Sequence, residues 1–151
     1  MSRLLLFVLL CHSLVAYPET SVSFDGWARA TAPGATTGAI YGKLQNGGSE
    51  AVSLSSVRFE KAGHVMVHRT VESDGMMRMM HADVTLEPGA SVVLEPGGLH
   101  IMLMGLKAPL IPGCIYKVEL EWDESASTSH DFVTGSFGQS TKPERPGQSC
   151  Q

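Results

Sequence analysis

Four side chains with soft, neutral donor atoms occur at spacings typical of β-strands: His68, Met79, His100 and Met102. Two imidazoles and two thioethers suit monovalent copper, a soft d¹⁰ ion, better than they suit zinc, calcium or magnesium, which favour harder or charged donors. His100 and Met102 stand at i and i+2, so on a strand they point to the same face. If all four side chains meet, the sequence predicts a Cu(I) site.

A predicted hairpin brings His68 close to Met79. Segments 65–71 and 76–82 flank the turn-forming run 72–75, which has the sequence ESDG. A four-residue loop places His68 directly opposite Met79, whereas a two-residue Asp-Gly loop makes them diagonal neighbours on one face. A three-residue loop would put them on opposite faces, because a one-residue slip inverts every side chain. The first two registers both allow a shared metal ion.

Composition indicates one globular domain and argues against nucleic-acid binding. The 151 residues are 43% hydrophobic and 17% charged, which is enough apolar material to build a core. The formal net charge is −4 and no run of Lys and Arg occurs, so a basic surface for phosphate contacts is not expected.

The N-terminus is typical of an export signal. Arg3 precedes the apolar run 4–10, and we predict a signal peptide over residues 1–16. The run is too short to span a bilayer, so no membrane span is expected after signal removal and the mature protein should be periplasmic. Cys11 could accept a lipid, but the large Leu10 before it disfavours this. In an oxidising compartment thioethers are suitable ligands, because paired thiolates there become disulfides.

Residues 20–138 form short alternating strands separated by Gly and Pro turns, with no amphipathic helix, so we predict an all-β antiparallel sandwich or barrel. In segment 114–122, for example, Tyr116, Val118 and Leu120 share one face. Residues 139–151 are polar and contain Pro, which predicts a flexible C-terminal tail.

Motifs between about Val22 and Trp122 resemble those of the periplasmic copper chaperones called PCu(A)C. One of them is His68 followed by ten residues and Met79. The others are DGWARAT at 25–31, PG at 33–34, GAIY at 38–41, NGG at 46–48 and PGGLHIMLMGL at 96–106.

This resemblance implies a cupredoxin-like antiparallel β-sandwich with Greek-key connections. It also implies Cu(I) ligands at His68, Met79, His100 and Met102, and delivery of copper to cytochrome c oxidase, often alongside a Sco-type chaperone. The interval from Met79 to His100 holds 20 residues, one fewer than the family pattern, and the turn at 87–91 can absorb the difference.

Other donor residues leave alternatives open. Met77 shares the predicted face of Met79, and Met66 and His64 share that of His68, so a second or alternative site is open, to which His130 is a further candidate. His81 is ambiguous. Any one methionine taken alone is better explained as adaptable core filler, and the combination with the histidines is what favours a metal site.

The cysteines and the missing motifs favour binding over catalysis or electron transfer. Cys114 is in phase with core positions, so it is either a buried thiol or the partner of Cys150 in a disulfide. A blue-copper site needs a thiolate with nearby His and Met, which neither cysteine has. No nucleophile elbow, phosphate loop or zincin motif occurs, so an enzyme is not expected.

Two other functions are compatible with the sequence besides copper delivery: a structural or adhesive domain without metal, and copper storage or detoxification.

Overall fold

The computed structural model describes residues 21–123, 126–144 and 147–150, and within them every regular element is a strand, which confirms the all-β prediction. The predicted signal peptide, residues 1–16, lies outside the described residues. The strands are β1 (Val22–Arg29), β2 (Thr37–Asn46), β3 (Val52–Arg58), β4 (His64–Ser73), β5 (Met76–His81), β6 (Thr85–Leu86), β7 (Ser91–Leu94), β8 (Leu99–Met104), β9 (Cys114–Trp122), β10 (Ala126–Gly135) and β11 (Gln148–Ser149).

Hydrogen bonds connect the strands in the order β5-β4-β8-β2-β1-β10-β9-β3-β6, while β7 pairs with β2 and β11 pairs with β9. Strand β5 is therefore at one end of this path, and β4 lies between it and β8. The sheet is mixed, not purely antiparallel, because β1 runs parallel to β10 and β11 runs parallel to β9. Parallel neighbours require a long connection, and almost the whole domain separates β1 from β10.

The inner faces of the strands enclose one hydrophobic core. The alternation predicted for β9 is present, with Tyr116, Val118, Leu120 and Trp122 all buried. The indole N–H of Trp122 donates a hydrogen bond of 2.8 Å to the hydroxyl of Thr128, which satisfies its polar atom. Strands β1 to β4 and β6 to β10 contribute to this core, whereas every residue of β5 is exposed. The β4–β5 hairpin therefore extends beyond the core.

The C-terminal segment is attached to the sheet, which differs from the flexible tail expected from residue 139. Cys114 and Cys150 form a disulfide, so the alternative of a free buried thiol is excluded. Strand β11 pairs with the start of β9, and the N–H of Gln148 donates a hydrogen bond of 2.8 Å to the carbonyl of Gly113. The polar composition that predicted a loose tail did not take this covalent link into account.

Reducing the disulfide should lower the free energy of unfolding by about 2–4 kcal/mol, because the bond closes a loop between residues 36 apart and so restricts the unfolded chain. Urea unfolding with and without a phosphine reductant measures the difference. A Cys114→Ala, Cys150→Ala variant is the control, since its midpoint should not respond to reductant. Equal midpoints for the oxidised and reduced wild type would contradict the prediction.

Candidate metal centre

His68 on β4 and His100 on β8 are directly opposite each other in the antiparallel register. Their ring centroids are 6.3 Å apart and the rings are nearly perpendicular, at 89°. Their chain neighbours Val67 and Ile101 are buried in the core, so the two imidazoles stand on the outer face, meaning the face of β4 and β8 that points away from the core.

A tight turn before β8 orients His100. The N–H of Gly98 donates a hydrogen bond of 3.1 Å to the carbonyl of Glu95, with Pro96 at the second and Gly97 at the third position of the turn. Gly97 has a φ of +80°, which the third position of a type II turn requires and which residues other than glycine rarely adopt. The carbonyl of Gly98 then accepts a 3.0 Å hydrogen bond from Nδ1–H of His100. This fixes the tautomer and leaves Nε2 with a free lone pair.

Aromatic packing buries His100 although it stands on the outer face. The residue His100 is only 4% exposed. The ring of Tyr41 lies 6.3 Å from that of His100, and Trp27 packs on Tyr41 at 4.9 Å. The guanidinium of Arg29 lies 5.6 Å from the centre of the Tyr41 ring. Residue spacing did not connect Trp27 with this site. The sequence did carry a signal: Trp27 is three residues from the inward-facing Phe24, so on a strand its side chain points to the opposite face.

Met79 is a diagonal neighbour of His68. The β4–β5 loop is the two-residue Asp74-Gly75 turn, whose φ values of 55° and 74° are typical of a type I′ hairpin. Thr70 therefore pairs with Met79, which confirms the second of the two registers that the sequence left open. Met79 is 59% exposed.

Met102 lies on the outer face beside His100, opposite Met66 on β4. It is partly buried, as is His68. The structure therefore brings the four predicted ligands onto one face of three adjacent strands, with His100 the most buried and Met79 the most exposed.

Two other histidines, His64 and His81, and three other methionines, Met66, Met77 and Met104, stand on the same face. His81 pairs with His68 but is exposed, and its Nε2 lies 3.2 Å from a carboxylate oxygen of Asp83. His64 pairs with Met104. Met77 is on the face of Met79, one alternating position further towards the loop.

His130 is not brought to this site. It stands on the inner face of β10, where its ring contacts Phe24 edge-on at 6.1 Å and its Nε2 is 2.8 Å from the hydroxyl of Thr128. Burial lowers its pKa, an effect that the charge of Asp131 partly opposes.

The surroundings of His68 favour a neutral imidazole with a free nitrogen. Burial lowers its pKa, and the nearby imidazoles of His100 and His81 lower it further. Its Nδ1 is buried and has no hydrogen-bond partner in the described part of the chain. A buried nitrogen of this kind costs free energy when it has no partner, and a metal ion would supply one. The residues therefore fit a metal with neutral ligands.

A metal ion on this face would need the methionine sulfurs. Among residues 21–123, 126–144 and 147–150, no group of three or more His, Cys, Asp or Glu side chains is arranged to hold a metal. Cys114 and Cys150 are consumed by their disulfide, so neither can supply the thiolate of a blue-copper centre.

The relatives of this chain include a protein described as a putative lipoprotein. The family model described as "Putative lipoprotein LpqE-like" matches residues 24–134, so the chain belongs to this family. A Leifsonia xyli subsp. xyli protein described as "Putative lipoprotein Lxx21020" is 34% identical over 104 residues, covering 68% of this chain and 61% of the relative. A Rickettsia prowazekii protein described as uncharacterised is 26% identical over 113 residues, covering 71% and 62%. The chain thus spans less than two thirds of each relative's length.

Solved PCuAC domains share the fold. The apo domain of PmoF1 matches with a TM-score of 0.65 at 24% identity, covering 80% of this chain and 98% of that domain. The copper-bound domain of PmoF2 gives 0.64 at 19% identity, covering 80% and 97%. The Cu(I) form of DR1885 from Deinococcus radiodurans gives 0.59 at 24% identity, covering 81% of each chain. The cupredoxin-like β-sandwich is therefore confirmed, and so is the resemblance to PCu(A)C at the level of the fold.

Membership of a family described as lipoproteins indicates an exported protein. No helix in the described segments has the length and apolar character needed to cross a bilayer. The signal segment and Cys11 lie outside those segments.

In the metal-free protein, His68 should titrate below pH 6.5, the ordinary value for histidine, because burial and the neighbouring imidazoles disfavour its charged form. The neutral ring should therefore persist to a lower pH than in the unfolded chain. An NMR titration of the imidazole resonances measures the midpoint, with the urea-unfolded protein as control. A His68 midpoint at or above that of the unfolded chain would contradict the prediction.

Proposed function

We propose that this protein is a periplasmic metallochaperone that binds one Cu(I) ion through His68, Met79, His100 and Met102 and passes it to an acceptor. The observation that carries the proposal is the His68–His100 pair on β4 and β8, flanked by two thioethers on the same face. The fold relatives add support, because the structures named above include a copper-bound PCuAC domain and a Cu(I) form.

The donor set favours Cu(I) over harder ions. Thioethers are soft ligands that bind Cu(I) well, and imidazole binds it too, whereas Ca²⁺ and Mg²⁺ prefer oxygen. His100 would offer Nε2, since Nδ1 is held by the Gly98 carbonyl. Four neutral donors leave the bound ion with its single positive charge. The site therefore holds the ion without a thiolate, which suits an oxidising compartment.

The exposure of the ligands indicates how the ion could leave. Met79 is on β5, which contributes nothing to the core, while His100 is nearly inaccessible. Displacing the thioether of Met79 requires no repacking of the core, so an incoming thiolate can replace it first. Stronger thiolate donors would then take the ion by stepwise ligand exchange. This chemistry involves binding and transfer, with no catalysed reaction.

The acceptor is proposed from the resemblance: a copper centre of cytochrome c oxidase during its assembly, or a Sco-type chaperone rich in cysteine thiolate. A storage role would use the same ligands and differ only in whether the ion is released.

Removing the imidazoles should abolish tight binding, because both nitrogen donors are lost, including the His100 ring that the Gly98 carbonyl orients. We expect His68→Ala, His100→Ala to weaken Cu(I) affinity by about a hundredfold or more, and Met79→Leu by about tenfold. Competition with bicinchoninate under reducing conditions measures both.

Met80→Leu is the matched control for Met79→Leu. Met79 and Met80 are adjacent on β5 and equally exposed, at 59% and 57%, but face opposite sides. Met80→Leu should leave the affinity unchanged. Equal losses for the two leucine variants would show that Met79 is not a ligand, and an unchanged double histidine variant would reject the site.

Delivery predicts that Cu(I) moves from the loaded protein to an apo dithiol acceptor and that the rate increases with acceptor concentration. Met79→Leu should release the ion faster, since the first ligand to be displaced is already gone. Separating the two proteins by ion exchange and measuring copper in each fraction tests this. If the ion stays on the wild-type chain at acceptor excess, delivery is rejected and storage is the function that remains.

A further inference from the structure

Three donor residues on the outer face of β4 and β8 are not used by the proposed site. His64 is directly opposite Met104, and Met66 is directly opposite Met102. Together with the His68–His100 pair, three successive outward-facing pairs on these two strands consist only of histidine and methionine. The proposed site uses the last pair and one sulfur of the middle pair, so His64, Met66 and Met104 are left over.

The core does not explain these residues. The inner faces of the same strands are filled by Val67, Ile101 and Leu103, all buried, so the outward methionines do not fill that space. Met66 and Met104 are partly exposed and His64 is exposed. Adaptable core filler, the ordinary reason for a methionine, therefore does not apply to Met66 or Met104.

The register places the three donors within reach of one ion. Residues directly opposite on neighbouring strands have Cβ atoms about 5 Å apart, and diagonal neighbours about 7 Å, which long flexible thioethers can span. His64 and Met104 form a directly opposite pair, and Met66 is diagonal to Met104. The pair His64–Met104 lies four residues along the strand from His68–His100, or about 13 Å, so two ions would be well separated.

The chemistry again favours a soft monovalent ion. One imidazole and two thioethers form a neutral set, and the outward positions 64–70 of β4 and 100–104 of β8 carry no carboxylate. His64 is exposed, which gives solvent access to this end of the ladder.

We propose that His64, Met66 and Met104 form a second Cu(I) site on the outer face of β4 and β8. Met66 and Met102 are opposite each other, and each supplies its sulfur to a different site: Met102 to the first and Met66 to the second. With three ligands, one of them exposed, the second site should bind more weakly than the first. It uses none of the four ligands of the proposed function, so each site can be removed without the other.

Stoichiometry in four proteins tests the proposal: the wild type, His64→Ala with Met104→Leu, His68→Ala with His100→Ala, and the combined variant. Under reducing conditions with bicinchoninate as competitor, we expect the wild type to bind two Cu(I) ions with different affinities. Each paired variant should bind one, and the combined variant none. The Met80→Leu variant, which replaces an exposed methionine on the opposite face, should bind two Cu(I) ions.

Silver(I), a soft d¹⁰ ion without redox chemistry, provides a second readout by NMR of the methionine methyl groups. At the first equivalent the methyls of Met79 and Met102 should shift, and at the second those of Met66 and Met104. Thermal unfolding shows whether the variant with His64→Ala folds. If it folds poorly, Met66→Leu replaces it as the test variant, because leucine keeps the volume and apolar character of methionine. Met66→Leu should lose the second shift and keep the first.

The outcomes separate the two claims. If the wild type binds one ion, and the methyls of Met66 and Met104 never respond, the second site is rejected while the proposed function stands. A His64→Ala, Met104→Leu variant that still binds two ions also rejects it. If Met66 and Met104 respond but Met79 and Met102 do not, and His68→Ala with His100→Ala changes nothing, then the second site stands and the proposed function fails.

Discussion

The pairing register of β4 with β8 is the constraint on which the candidate site depends. It puts His68 opposite His100 on the outer face while Val67 and Ile101 enter the core. A slip of one residue would bury the imidazoles and expose the aliphatic side chains, at a cost on both faces. The turn at 95–98 adds a local restraint, because the carbonyl of Gly98 accepts hydrogen bonds from both strands: from Thr70 N–H on β4 and from the ring of His100 on β8.

The two faces of these strands therefore have different tasks. The inner face supplies the apolar burial that stabilises the fold. The outer face carries donor atoms, and there Tyr41 and Trp27 continue the row of rings from His68 and His100 across β2 and β1. This packing holds one ligand rigidly, while the methionines keep rotational freedom. A site with one fixed ring and flexible sulfurs can bind an ion without first being fully assembled, and it can release the ion one ligand at a time.

The sequence predicted local geometry well and long-range pairing poorly. Spacing at i and i+2 fixed the common face of His100 and Met102, and the Asp-Gly pair limited the hairpin to two useful registers. Which strands are neighbours depends on contacts between distant segments, so residue spacing did not predict the β4–β8 pairing. Residue spacing gave no sign that β1 and β10 run parallel. Composition predicted a free tail because it describes how a segment behaves alone, whereas the Cys114–Cys150 bond, one of the two alternatives that the sequence left open for Cys114, attaches the tail to the sheet.

Strand β5 carries the proposed ligand Met79 but contributes no residue to the core. Substitutions there should change which ion the site prefers at little cost in folding free energy, because no buried contact is lost. A histidine in place of Met79, for instance, would make the donor set harder on an unchanged scaffold. Of the four proposed ligands, Met79 alone can therefore change without altering a strand that builds the core.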